Sequence, residues 1–281
     1  MLYRGEKVYD DSNIHELISG YTRERLTDGT IVSVQNQGGH KRYLSAIPKP
    51  PGHDSRAYSK LFGAEVPTIP RSDWSAQLKA QTEQKRLTSQ LQTWQSDDQG
   101  SHPTCWAAGT CAAWSTARVR QNHPYVRISA MSVACPISGG VSGGYEGDAV
   151  ELLTKRGGVS VDLWGYTEIS RSKDSDPACE ANRILHKAIE SYECNSFDEF
   201  AAAWLLGFPC TVSYNWWSHV VMACDLVEIE AGSWGVRIRN NWGESYGSKN
   251  DNGVGGYNVF REGHGTPSGG FAFRQVTASE K

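Results

Sequence analysis

The 281-residue sequence has no run of eighteen apolar residues, so no membrane-spanning helix is expected. It has no excess of one charge either. Lys and Arg number 28 against 31 Asp and Glu, a net charge of −3, and the two signs are interspersed. No basic patch argues for nucleic acid, and no acidic tail argues for a solvating role. Met1 to Asp11 contain no apolar stretch of the secretory kind, so no signal peptide is expected, and the predicted location is cytoplasmic or within a larger particle. His102, Cys105 and Cys111 lack a C-x-x-C or a partner pair at ligand spacing, so neither a metal nor another cofactor is expected. His53, His123, His186 and His264 read as surface or loop residues.

What is present is a chain long enough to bury a substantial core, as one large domain or two lobes. Seven cysteines are present, an odd count, at 105, 111, 135, 179, 194, 210 and 224. The simplest reading is a reduced compartment, or a lineage that has dropped its disulfides. A Cys135–Cys179 pair stays open, because spacing alone does not decide it.

The most informative stretch is Gln99 to Trp106, Q-G-S-H-P-T-C-W. Ser101 to Thr104 make a poor helix interior, whereas Ala107, Ala108, Gly109, Ala112 and Ala113 follow Cys105. A helix should therefore start near Cys105. A thiol at a helix N-terminus faces free N–H groups and the positive end of the dipole, which favour the nucleophilic thiolate. The Gln99 amide, six residues earlier, is placed to donate to a developing oxyanion.

Two later stretches join it. His219 sits in N-W-W-S-H-V-V-M-A, and Asn240 sits in V-R-I-R-N-N-W-G-E-S-Y-G. In this order Gln, Cys, His and Asn resemble the papain-like (C1) cysteine peptidases, with their Q-G-x-x-x-x-C-W, a His opening a strand, and N-S-W-G-x-x-W-G. The resemblance covers roughly residues 69 to 273. It implies an α+β fold of two lobes, one helical and one an antiparallel β-barrel-like lobe. It implies a Cys105-His219-Asn240 triad, an oxyanion hole from Gln99 and the Cys105 N–H, and Trp242 shielding the His–Asn bond. Ser142-Gly143-Gly144-Tyr145 resembles the family's C-N-G-G-Y, whose glycines pair with extended substrate, so Gly143 and Gly144 become substrate-binding candidates. The family disulfide between these two motifs has lost both partners here, replaced by His102 and Ser142. In the Asn motif, Asn241 and Tyr246 stand where the family has Ser and Trp. Strand alternation from Val236 through Ile238 puts Asn240 on their face and Asn241 on the other.

Residues 1–68 lie outside the resemblance and are read as an N-terminal extension, with the peptidase domain at 69–281. A short helix near Ile14 to Ile18, a strand at Thr30 to Val34 and a turn at Asn36 to Gly39 are expected, then a stiff connector at Pro48 to Gly52. The long amphipathic helix of the family's inhibitory pro-segments is absent. The extension therefore reads as a spacer-held arm, one use of which is docking to a larger, viral assembly. Leu87, Leu91 and Trp94 at helical spacing predict an inserted helix over about 74–92. Ser196-x-x-Glu199 opens a helix as a capping box. The Asn215 to Ser218 connection is short and should leave the cleft open on the leaving-group side. The Trp216-Trp217 pair reads as core.

The expected function is cleavage of peptide bonds in a polypeptide or peptide-like substrate, through a thioester intermediate. The alternatives are a papain-fold structural or virion-associated component, and a peptidoglycan endopeptidase.

Overall fold

The computed structural model describes the chain except residues 1, 28, 38–39, 52–67 and 279–281. Its centre is helix α4 (Cys105–Arg120). The helix begins at Cys105, where the poor helix formers end. Every residue from Cys105 to Arg118 is buried, so the helix runs through the core with no solvent face. Gly109 makes this possible. A Cβ there would lie 3.1 Å from the backbone of Val221, tighter than an ordinary contact, so the crossing strand would have to give way.

That strand, β8 (His219–Glu230), belongs to an eight-stranded sheet. The others are β1 (Leu2–Tyr3), β2 (Glu6–Tyr9), β6 (Ala188–Cys194), β7 (Cys210–Tyr214), β9 (Ser233–Arg239), β10 (Tyr257–Arg261) and β11 (Gly269–Val276), in the spatial order β1-β2-β10-β9-β8-β7-β11-β6. Residues of β8 alternate between two cores. Val220, Met222 and Cys224 join α4, α5 (Met131–Ser138) and α6 (Glu146–Lys155) in one cluster. Val221 and Ala223 join α2 (Arg71–Glu83) and α8 (Phe197–Leu205) in the other. This gives a helical lobe and a sheet lobe with β8 shared between them. A further helix, α7 (Pro177–Ile184), starts on Asp176, whose carboxylate accepts from Ala178 N and Cys179 N.

The expected helix over 74–92 is two helices. α2 ends at Glu83, and α3 spans Thr88–Leu91. Lys85 between them adopts φ 52°, a left-handed turn that no glycine advertises in the sequence. The Asp225 carboxylate accepts from Thr88 N and Ser89 N at 2.7 and 3.1 Å and fixes the start of α3. The α8 cap forms, with Ser196 Oγ accepting from Glu199 N. The Glu199 carboxylate returns to Asn195 N, one residue earlier than a capping box requires.

The first 51 residues are not held away from the lobes. Strand β2 adds to the main sheet, parallel to β10 through Val8 and Tyr9. Glu6 on it is buried and accepts from Arg237 Nε at 3.0 Å. After α1 (His15–Ile18) comes a three-stranded antiparallel sheet, β3 (Tyr21–Arg25), β4 (Ile31–Gln37) and β5 (His40–Leu44). Of the connector expected at Pro48 to Gly52 only Gly52 lies outside the described residues, as do residues 53–67, the stretch just before the boundary expected at 68.

Candidate active site

Cys105, His219, Asn240, Gln99 and Trp242 converge between the two lobes, and all five are buried. His219 opens β8, so its ring lies beside the N-terminus of α4. The Val220 N–H, the next along the chain, points at the Cys105 thiol.

The His219 tautomer follows from hydrogen-bond chemistry. Asn240 Oδ1 accepts from the backbone N–H of Asn241 at 2.8 Å, which identifies that atom as the amide oxygen. His219 Nε2 lies 2.8 Å from the same oxygen, so Nε2 carries the proton. Nδ1 is then left as a bare lone pair, buried and without a hydrogen-bond partner. The ring is clamped by aromatics. Trp242 tilts over it with centroids 4.8 Å apart, and Trp217 meets it edge-on at 4.7 Å. Trp217 is core, as its sequence context suggests, and is also a wall of the His219 site.

Asn241 does not point away. Its Nδ2 donates to the Cys105 carbonyl at 3.2 Å. β9 ends at Arg239, so strand alternation no longer governs the two asparagines. Gln99 is pinned to the same segment, its backbone N–H donating to Asn241 O at 2.9 Å. Asp97, two residues earlier, is buried between Arg127 (2.7 Å) and Arg239 (3.2 Å) and accepts at its carbonyl from Gly243 N. One buried network thus fixes the Gln99 loop against the Asn240–Trp242 loop.

The cleft between the lobes is occupied by the chain itself. Residues 43–47, leaving β5, cross it in extended conformation. Gln99 Nε2 donates to Tyr43 O at 3.2 Å, Ala46 N donates to Ser218 O at 3.1 Å, and Gly144 N donates to Ser45 O at 3.1 Å. Ile47 N donates to Gly144 O at 2.9 Å, and Ala46 pairs with Gly144 as a parallel bridge. Ser45 Oγ sits 3.5 Å from Cys105 Sγ. Gly143 and Gly144 are glycine for a packing reason. A Cβ on Gly143 would lie 2.4 Å from Ser45 O, and one on Gly144 2.4 Å from the Trp106 indole. The expectation of an arm clear of the cleft is therefore corrected. No amphipathic helix fills the cleft; the occupant is an extended segment held through its backbone. The leaving-group side, expected to be open, carries the N-terminal segment too, since Trp217 Nε1 donates to Tyr21 Oη.

Burial sets the charge state. Burial pushes the Cys105 thiol up, against the Ser45 hydroxyl and the N–H groups of Val220, Ser45 and Trp106. Burial pushes His219 down to about 4, against its bond to Asn240 and the nearby Asn241 amide. In the closed cleft the pair is thiol and neutral imidazole, because desolvation penalises both charged forms. The thiolate expected from the helix N-terminus is thus not the favoured form of the buried Cys105.

All seven cysteines are free, including Cys135 and Cys179. His186 is not a surface residue. It is buried edge-on against Trp114, and burial with the nearby Arg118 charge pushes it down to about 4. His53 lies outside the described residues. Among the described residues no cluster of three or more His, Cys, Asp or Glu is placed to hold a metal, and no helix is long and apolar enough to cross a membrane.

No protein-family model and no curated protein matches the chain. Solved structures do. Xylellain, a cysteine protease from Xylella fastidiosa, is 18% identical, with 84% of this chain and 96% of that chain covered and a TM-score of 0.55. The Amb a 11 cysteine protease of ragweed pollen, in its proform, is 15% identical over 78% of this chain and 68% of that one, TM-score 0.53. Digestive procathepsin L 3 of Tenebrio molitor larvae is 14% identical over 93% and 85%, TM-score 0.51. The chain has the papain-like fold, an α+β architecture of two lobes.

Proposed function

We propose that the protein is a thiol-dependent peptidase held latent by its own residues 43–47. The observation that carries this is the hydrogen-bond pattern at His219. The shared acceptor Asn240 Oδ1 leaves Nδ1 as a buried, unpartnered base on the residue just before Val220, whose N–H reaches the Cys105 thiol. Once the segment leaves, His219 Nδ1 takes the Cys105 proton and the thiolate attacks the substrate carbonyl. Gln99 Nε2 and the Cys105 N–H stabilise the oxyanion. The imidazolium then gives its proton to the departing amine, and water hydrolyses the thioester. In the closed form Gln99 donates to Tyr43 O, so the segment already engages the group assigned to the oxyanion. Residues 1–51 and the domain that follows act as inhibitor and enzyme in one chain.

The test is site-mapped labelling with iodoacetamide, alone and with the His219→Ala variant. Cys105 should be the preferred site, and the variant should suppress it near neutral pH. Equal labelling of Cys111 or Cys179, or labelling indifferent to His219, would return the chain to an inert structural component.

A further inference from the structure

A buried carboxyl group at the contact of the two lobes is left unused by the mechanism. Glu146 opens α6, two residues after Gly144, and is buried with 1% of its surface exposed. Neither carboxylate oxygen has a hydrogen-bond partner in good geometry, and the Ser213 hydroxyl and its own backbone N–H offset the cost of its burial only in part. The side chain reaches across to the sheet lobe. An atom at the Cβ position of Gly269 would lie 4.0 Å from Oε1. Ser213, paired with Gly269 and next to the Tyr214 that pairs with His219, stands beside it, but its hydroxyl donates to Gly269 O at 3.2 Å. An uncompensated buried carboxylate is costly in a merely structural role.

A second acidic group marks the same end of the cleft. Glu193 lies on β6, opposite Phe271 of β11, and its charge is felt by Glu146. It is paired already, and its partner comes from the segment that fills the cleft. Lys49 Nζ lies 2.6 Å from Glu193 Oε1, three residues past the Ala46 that pairs with Gly144. The occupant thus carries a cation to this acidic end.

We propose that Glu146, with Glu193 at its rim, forms an acidic subsite that takes a lysine or arginine side chain of the substrate, and that Lys49 is the chain's own stand-in for that group. This rests on the peptidase reading above. In the closed cleft Ser45 faces Cys105 and its neighbour Ala46 pairs with Gly144. The basic residue recognised is accordingly the one next to the residue whose carbonyl is attacked. Glu146 without a cation is the expected state of such a subsite before substrate arrives: its charge finds a partner only when a basic side chain enters. Burial holds its acid form up to about 7 in that waiting state.

The experiment compares rates of Cys105 labelling on the full chain by peptidyl electrophiles. They differ only at the residue next to the one bearing the reactive group: Lys, Arg, Leu or Glu. Every probe must displace residues 43–47, so the ratio of rates isolates the subsite. The Lys and Arg probes should react about tenfold or more faster than the Leu probe, equivalent to about 1.4 kcal/mol. The Glu probe should be slowest. Glu146→Gln should flatten the ratio, and Glu193→Gln, measured separately, should reduce it. Equal rates for Lys and Leu on the native chain overturn the proposal, as does a preference that survives both substitutions. His219-dependent labelling by iodoacetamide separates the two readings. If it is present and the preference absent, only the subsite fails; if it is absent, the peptidase reading and the subsite fail together.

Discussion

Ser45 Oγ lies 3.5 Å from Cys105 Sγ, so a residue of the N-terminal segment stands where an attacked carbonyl would have to be. The contact comes from backbone pairing on both lobes, with Gly144 on one side and Ser218 on the other. The segment therefore bridges the lobes while it covers the thiol.

Arg42 anchors that segment. It is buried, bonded to both Asp98 oxygens at 2.5 and 3.2 Å, and donates to Trp242 O at 3.2 Å. Replacing it leaves Trp242 O without this donor and Asp98 with only the Gly100 N–H, and loosens the strand next to it. Arg42→Ala should raise the iodoacetamide rate at Cys105 about tenfold or more, which is about 1.4 kcal/mol of masking removed. An unchanged rate in a folded variant means the segment does not control access.

Asn240 and Asn241 can be told apart by kinetics. Asn240→Ala removes the acceptor shared by His219 Nε2 and Asn241 N, leaving two buried donors unsatisfied, at a cost of about 1–3 kcal/mol each. It should slow His219-dependent labelling by about tenfold or more, equivalent to about 1.4 kcal/mol. Asn241→Ala loses a single side-chain bond, to Cys105 O, and should slow labelling less. The reverse order of effects would move the orienting role to Asn241.

Thermal unfolding should be indifferent to reductant, because all seven cysteines are free. A disulfide typically contributes about 2–4 kcal/mol. At roughly 2–4 °C per kcal/mol for a chain of this size, a fall of about 5 °C or more with dithiothreitol would reveal a bridge.

Glu146 should impose a pH dependence on stability. Its folded pKa, about 7, lies above the ordinary 4.5, so the folded state holds the proton more tightly than the unfolded chain. Folding is then free of this cost below about 4.5, loses stability as pH rises, and bears the full cost above about 7, on the order of 3 kcal/mol. Glu146→Gln carries no such charge. Relative to the native chain it should be more stable at pH 8 and little changed at pH 4.5. A difference in unfolding free energy that stays constant across this range would show Glu146 to be solvated in the native protein.

The sequence by itself determined where α4 begins, because Ser101 to Thr104 disfavour a helix and the small residues after Cys105 favour one. It determined the Ser196 cap, the strand that His219 opens and the strand that runs up to Asn240, because capping and alternation are local rules that few residues suffice to express. The tertiary structure decided the rest. Residues 43–47 enter the cleft through main-chain hydrogen bonds, which any sequence can make and which leave no side-chain pattern to read. Lys85 breaks the expected long helix with a left-handed turn on a residue that gives no stop signal. His186 is buried because α4 brings Trp114 against it, a contact between residues 72 positions apart. Asn241 faces Cys105 because β9 ends one residue before Asn240. Glu146 looks in sequence like an ordinary acidic first turn of a helix. Only the approach of Gly269 and Ser213 from the other lobe buries its carboxylate without a partner, since desolvation depends on what surrounds a group in space.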